Sequence, residues 1–293
     1  MHKTELDRFA IGLMVVLCTI WGLQQVAIKL ASAGISPVWQ AGLRSIGATV
    51  IVVGWALARG VKLFRRDHSL LPGLLAGALF AGEFALIFTG LQYTTASRGV
   101  IFLYTAPFFV ALGAVRLLPQ EHMRRKQWTG MALAFVGVLA LFGENLFVPA
   151  AGAWIGDLML LGAAVLWAAT TLTVKASVLN RGAVEKTLLY QLGVSALLLP
   201  PLSLALGEPG VFAPTAMVWA NLLFQAVIVA GVSYLAWFWL VREYPATRLS
   251  SFSFLTPVMG VLAGGLLLGE TLTPAVFAAL FLVGSGIWVA NRP

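Results

Sequence analysis

Charged residues are scarce in this chain: Lys, Arg, Asp and Glu make up 10% of its 293 residues, where a soluble domain carries about a quarter. So few charges cannot cover a water-facing surface, which excludes an ordinary soluble protein and makes lipid the main solvent. Cysteine occurs once, at Cys18 inside an apolar run, so no intrachain disulfide can form. The three histidines, His2, His68 and His122, fall in loops or at the terminus and make no recognisable metal site. There is no Gly-x-x-x-x-Gly-Lys-Ser/Thr, so an ATP-driven pump would need a separate subunit, and no His-Glu-x-x-His. An intramembrane enzyme lacks its parts as well. Asp7, Asp67 and Asp157 are not placed as an intramembrane pair, and no histidine lies in a span to act as base for a serine. A repeated pore loop or a ring of like residues, as a channel would show, is also missing. No catalytic residue, metal or cofactor is therefore assigned.

Apolar residues are plentiful instead, at 60% with a mean hydropathy of +0.92. Read against Gly, Pro and charge breaks, they form runs at 9–32, 38–58, 70–92, 96–117, 127–143, 155–178, 186–206, 216–241, 246–268 and 274–291. This predicts an all-α polytopic membrane protein of ten spans, with Ser36-Pro37, Pro149, Pro209 and Pro214 in turns. Ten spans of about 20 residues use roughly two-thirds of the chain, leaving short loops and no room for a soluble domain. The first run is followed by Ala31-Ser32-Ala33 and so resembles a signal peptide, but it is too long for one and reads as a retained span.

The formal charge of +8 does not indicate nucleic acid, because the basic residues sit in short clusters between spans rather than on one face of a domain. Lys3 and Arg8 precede the first span; Arg59, Lys62, Arg65 and Arg66 follow the second; Arg116, Arg124, Arg125 and Lys126 follow the fourth. Arg181 and Lys186 follow the sixth, Arg242 and Arg248 flank the turn after the eighth, and Arg292 ends the tenth. With ten spans all of these lie on one side, whereas the loops around 33–37, 144–154, 207–215 and 269–273 contain no Lys or Arg. The positive-inside rule then places both termini in the cytoplasm of a bacterium, with the protein in its inner membrane.

The two halves repeat. Trp21 and Lys29 on span one parallel Trp167 and Lys175 on span six at identical spacing. Ala96-Ser97-Arg98 parallels Ala246-Thr247-Arg248, and Phe102 and Pro107 align with Phe252 and Pro257. Leu117-Leu118 followed by Glu121 parallels Leu267-Leu268 followed by Glu270, and Gly137 aligns with Gly284. Five spans per half is an odd number, so residues 1–145 and 146–293 are expected as two five-helix repeats of opposite orientation within one bundle. That arrangement lets two similar bundles exchange conformations around a central site in secondary transporters. A membrane scaffold without flux would also satisfy the topology.

These paired motifs, in this order and twice over, resemble those of the EamA-type drug/metabolite transporters. Within that superfamily the chain is most similar to the YddG-type exporters of aromatic and other amino acids. The resemblance implies ten helices, cytoplasmic termini, a central cavity and export of a small molecule, amino acids foremost. A nucleotide sugar or phosphorylated solute is the alternative cargo within the same fold. The implied partners are that solute and the lipid bilayer; no protein partner is required.

Polar residues inside spans single out a candidate cavity. Glu83 is the sole acid of its span and Arg44 lies within span two; counted from the outer helix ends they are about 13 and 9 Å deep. Two readings stand: a buried structural ion pair, or a coupling or amine-binding carboxylate at Glu83. Trp21, Gln24, Gln25 and Ile28 share one side of span one. With Tyr104, Trp167, Thr170, Thr171, Ser233, Tyr234, Trp237, Ser250, Ser253 and Phe254 they suggest an amphipathic cavity with aromatic faces, suited to a flat, partly apolar metabolite. Small hydroxyls can equally be interhelical contacts. Lys29 and Lys175 are expected either to snorkel to headgroups or to act as mirrored gates. Pro107 and Pro257 are candidate hinges, since each frees a backbone carbonyl.

Overall fold

In lipid no water is available to satisfy a backbone N–H or C=O, so each apolar run closes its own hydrogen bonds as a helix. The computed structural model describes residues 5–63, 67–118, 120–121, 123–146, 152–269 and 272–292. Lys3, Arg65, Arg66, His2, His122, Pro149 and Glu270 of the preceding section lie outside them. The helices are α1 Arg8–Ala31, α2 Pro37–Ala58, α3 Leu70–Gly90, α4 Ala96–Leu103, α5 Ala106–Leu117, α6 Arg125–Phe142 and α7 Ala153–Ala176. They continue with α8 Val184–Ala205, α9 Ala216–Phe224, α10 Tyr234–Glu243, α11 Ala246–Phe252, α12 Leu255–Leu268 and α13 Pro274–Asn291. No strand forms among the described residues beyond an isolated bridge between Ile35 and Val211.

Thirteen helices make ten spans because three spans are interrupted. The fourth breaks between α4 and α5 at Tyr104–Thr105, just before Pro107, and the ninth between α11 and α12 at Ser253–Phe254, just before Pro257. A proline lacks the N–H that would continue the preceding turn, so the interruption falls N-terminal to the ring. The eighth passes from α9 to α10 through π-helix at Gln225–Ser233, which the periodicity does not foretell. Nine spans are long and apolar enough to cross a membrane by composition alone, among the described residues. The remaining one, α6, is 18 residues long and opens on Arg125 and Lys126. It lies against α13 along its length, with Gly130 and Gly286 at the crossing.

Observed ends lie within about two residues of the sequence reading, and they follow local chemistry. Asp7 caps α1 by accepting the Ala10 N–H at 2.9 Å, Thr95 caps α4 and Thr215 caps α9. Pro37 and Pro274 open α2 and α13, where a missing N–H costs nothing. Large apolar side chains such as Val50, Leu71, Leu197, Leu266 and Phe281 point outward, 68–80% exposed, which only a lipid surround can satisfy.

Polar contacts group the helix ends into two faces. On the terminal face, Tyr244 donates to Asp7 at 2.8 Å and Arg248 donates to the Asn291 carbonyl at 3.2 Å, joining both chain ends to the turn after span eight. On the far face, Glu208 accepts the Val38 and Trp39 N–H groups at 3.2 and 3.0 Å, and Ser36 donates to the Gly210 carbonyl. Lys62→Cys and Lys126→Cys are therefore expected to react with a membrane-impermeant maleimide from one side, and Phe212→Cys from the other. Cys18 will not interfere: it is wholly buried, with its thiol donating to the Phe252 carbonyl.

Lys186, at the start of α8, donates to both oxygens of Asp67 at 2.9 and 3.0 Å, and Ser69 donates to the same carboxylate at 2.5 Å. First the Ser69 hydroxyl and then Lys186 hold the Asp67 carboxyl down to about 2. The lowered value means that this clamp stabilises the fold above the ordinary aspartate range, near pH 4, and is lost as pH falls through about 2. Asp67→Asn is expected to lower the melting temperature of detergent-solubilised protein at pH 7, with the difference from wild type closing toward pH 2.

Candidate functional site

A cavity of 220 Å³ occupies the bundle, walled by α1, α3, α4, α7, α8, α10 and the start of α12. It reaches the far face between the end of α3 and the start of α4, where Leu91 and Ala96 are exposed. Small residues bring its walls together. A Cβ built on Gly22 of α1 would lie 2.7 Å from the Gly260 nitrogen of α12, and one on Gly77 of α3 would lie 2.6 Å from the Tyr190 carbonyl of α8. Only glycine permits backbones that close.

Of the candidates read from sequence, Trp21, Gln24, Gln25, Glu83, Tyr104, Trp167, Thr171 and Trp237 all line this cavity, as do Thr170 and Tyr234. Trp21 meets Trp237 edge-on at 5.6 Å and Tyr234 at 6.5 Å; Tyr104 meets Trp167 at 5.8 Å. Ser233, Ser250 and Phe254 lie outside the wall. Ser233, at the end of the π segment, accepts the Trp21 indole N–H at 2.9 Å and donates to the Val229 carbonyl, so it fixes the indole from behind. Ser250 bonds back to the Ala246 carbonyl within α11. Phe254, in the break of span nine, packs on Phe108 and Phe135 instead.

Arg44 and Glu83 are both buried, but they do not form the expected ion pair. The guanidinium sits 4.2 Å over the ring of Phe84, and none of its nitrogens has a hydrogen-bond partner among the described residues. Among the described residues Glu83 accepts no hydrogen bond either. Phe84 is interposed between the cation and the cavity that Glu83 faces.

Sequence reading missed part of the wall: Phe80, Phe84 and Phe88 on α3, whose rings contact one another in series, and Gln191 on α8. Gln191 is wholly buried, and neither polar atom of its amide has a hydrogen-bond partner among the described residues. The rule that drew attention to Glu83, a polar group inside an apolar span, applies equally to Gln191.

Toward the terminal face the cavity ends below Trp237 and Tyr104. A second, polar cavity of 760 Å³ opens there, lined by Glu121, Arg124, Lys175, Arg181 and Arg248 among others. The wall of this second cavity carries a set of bonds joining helix ends. Lys175 does not snorkel to headgroups. Its ammonium is turned inward, donating to the Val241 carbonyl and, at 2.7 Å, to that of Tyr244, with Glu121 at 3.8 Å. Glu121 also accepts from the Thr247 N–H and hydroxyl at 3.2 and 3.3 Å. Lys29, its sequence counterpart, is exposed near the end of α1. On the far side Arg98 pairs with Asp157, which also accepts from Thr94 at 2.8 Å.

No group of His, Cys, Asp and Glu among the described residues could hold a metal ion. The cavity provides a binding surface with aromatic, amide and hydroxyl groups.

A family model described as EamA-like transporter family matches the chain twice, over residues 8–143 and 154–292. A probable amino-acid metabolite efflux pump of Salmonella typhimurium is 29% identical, the match covering 97% of this chain and 94% of the relative. The uncharacterized transporter YoaV of Bacillus subtilis is 24% identical, with 92% of each chain covered. A solved crystal structure shares the fold at a TM-score of 0.84, with 20% identity and 97% of each chain covered.

Proposed function

The chain belongs to the EamA-like transporter family, and from that premise we propose that it is a secondary transporter exporting aromatic and other neutral amino acids by alternating access. The observation that carries the substrate class is the cavity itself: tryptophan, tyrosine and phenylalanine faces with, among the described residues, one carboxyl group, Glu83, and no lysine or arginine on the wall. Such a lining suits a small amphipathic solute with an amine. It disfavours a phosphorylated solute or nucleotide sugar, whose phosphates call for cationic partners. The efflux-pump name of the Salmonella relative supports the same direction.

Alternating access rests on the halves 1–145 and 146–293 being inverted repeats, and the packing supports this. Spans three and six pack together, as do eight and one; three packs on seven, and eight on two; one on nine, and six on four. Exchanging spans one to five with six to ten turns each pairing into another, while the pairings of two with seven and five with ten map onto themselves. The double match of the family model supports it too. The breaks before Pro107 and Pro257 lie at corresponding places and serve as hinges. In the conformation described here the cavity opens to the far face, and the bonds around Lys175 close the terminal face. The charge distribution supports a terminal face on the cytoplasmic side of the inner membrane.

The test is counterflow. Purified protein in liposomes loaded with unlabelled phenylalanine is expected to accumulate labelled phenylalanine, tryptophan, threonine or methionine with saturation. Absence of protein-dependent exchange for every amino acid tried would overturn the reading.

A further inference from the structure

The two faces of the bundle carry the same joint, and it is engaged on one of them. On α7, Trp167 and Thr171 line the cavity, and Lys175 follows one turn further toward the terminal face. Its ammonium donates to the Val241 and Tyr244 carbonyls at the end of α10. On α1, Trp21 and Gln25 line the cavity, and Lys29 follows at the same spacing toward the far face. Residues four apart lie above one another on a helix, so both lysines stand on the cavity side of their helices. Lys29 is nevertheless exposed, and the cavity is open on that face.

The acceptors that Lys175 uses have counterparts on the far face. Val241 and Tyr244 stand five and two residues before Ala246; Leu91 and Thr94 stand five and two residues before Ala96, in the matching motif. The two turns are also tethered alike. Tyr244 donates to Asp7, just before α1, at 2.8 Å, and Thr94 donates to Asp157, near the start of α7, at 2.8 Å. One face is closed and the other open, yet both tethers are made, so neither depends on which face is open. The lysine contact is what differs. A helix end leaves its last carbonyls without partners, and a cationic side chain binds them favourably. The Leu91 and Thr94 carbonyls accept no backbone hydrogen bond among the described residues. Leu91 itself lines the mouth.

We infer that Lys29 is the far-face gate. When the cavity opens to the terminal face, the end of α1 closes over the mouth and the Lys29 ammonium donates to the Leu91 and Thr94 carbonyls. The inference rests on the alternating-access reading, and it adds which bonds hold the second state. Each lysine then stabilises one conformation alone, and the balance between the two states follows the difference between them. A gate made on main-chain acceptors does not need matching side chains. Leucine and threonine on one face can therefore stand where valine and tyrosine stand on the other.

The test reads the mouth through a cysteine at Ile87, on the cavity wall one turn before Leu91 and on a different helix from both lysines. Ile87→Cys is labelled with an impermeant maleimide added to the far face of reconstituted protein. Each variant is required to elute as a single species before reconstitution. Lys175→Met is expected to slow labelling by about tenfold, the worth of a hydrogen bond to a charged group, as the terminal face is released. Adding Lys29→Met is expected to return the rate to near that of the parent, because both conformations then lack their lysine bonds. Lys29→Met alone is expected to leave labelling as fast or faster and to lower counterflow, which needs both conformations. A double variant as slow as Lys175→Met alone would overturn the gate and leave the alternating-access reading standing. Slower labelling in Lys29→Met alone would also overturn it, since that lysine would then be holding the mouth open. No slowing by Lys175→Met would defeat the alternating-access reading, and the gate with it. If Lys175→Met does not elute as a single species, Lys175→Gln, which keeps a donor without the charge, takes its place with the same outcomes.

Discussion

Glu83→Gln is expected to reduce amino-acid exchange by about tenfold or more, the equivalent of one hydrogen bond to a charged group. Glutamine keeps the shape of the side chain but removes the carboxyl group on the cavity wall. The substitution also acts on Arg44, whose guanidinium is buried over Phe84 with no hydrogen-bond partner among the described residues. A buried charge deprived of its opposite is destabilising by about 3–5 kcal/mol where the two are in contact. The separation here makes the effect smaller, but its sign is the same. Glu83→Gln should therefore melt at a lower temperature than wild type. Adding Arg44→Met should restore stability without restoring exchange, because a methionine needs neither counter-charge nor donors. Stability that recovers together with exchange would mean that Glu83 serves packing alone. The measurements are counterflow in liposomes and thermal unfolding in detergent on the single and double variants.

Gly286→Val is expected to give little folded protein. A Cβ at Gly286 would lie 2.4 Å from the Ala134 nitrogen and 2.6 Å from the Gly130 carbonyl, both backbone atoms of α6 that cannot turn aside. Gly130 faces the same crossing, its Cβ position 2.3 Å from the Ala290 nitrogen, so α6 and α13 would have to separate. Overpacking a tight contact costs about 1–3 kcal/mol when neighbours can shift, and more when they are backbone. Gly284, two residues away, has nothing within 4 Å of its Cβ position. Gly284→Ala is accordingly expected to express and melt like wild type. Monodisperse yield and melting temperature in detergent decide between them. Equal tolerance of both substitutions would show that the α6–α13 crossing is looser than described.

Those two glycines also show what sequence could and could not reveal. Both stand out as small residues in an apolar run, and nothing in the run tells which faces a neighbouring backbone. Span number and ends were legible because apolar length and the Lys and Arg positions are both set directly by the bilayer. The breaks before Pro107 and Pro257 were legible because proline's missing N–H acts locally. The π segment at Gln225–Ser233 was not, since it arises from packing, and it shifts the helical phase on which the face of Ser233 was judged. Phe254 was assigned to the cavity from a continuous helix, but it lies in the break, where the chain turns its ring toward Phe108. Arg44 and Glu83 were each recognised as buried polar groups; that Phe84 stands between the cation and the cavity is a matter of three-dimensional placement alone. Lys175 was read as one of a mirrored pair, yet only the structure distinguishes its inward ammonium from the exposed Lys29.

The central claim is that one cavity opens to one face while bonds at the opposite face hold it shut. Gln25 lines the cavity and is exposed, and Lys175 belongs to the closing bonds. The most direct measurement is the rate at which Gln25→Cys reacts with an impermeant maleimide added to the far face of reconstituted protein, with Lys175 present and with Lys175→Met. Releasing the terminal face should favour the opposite conformation and slow the reaction at position 25. A rate unchanged or raised by Lys175→Met would contradict the account.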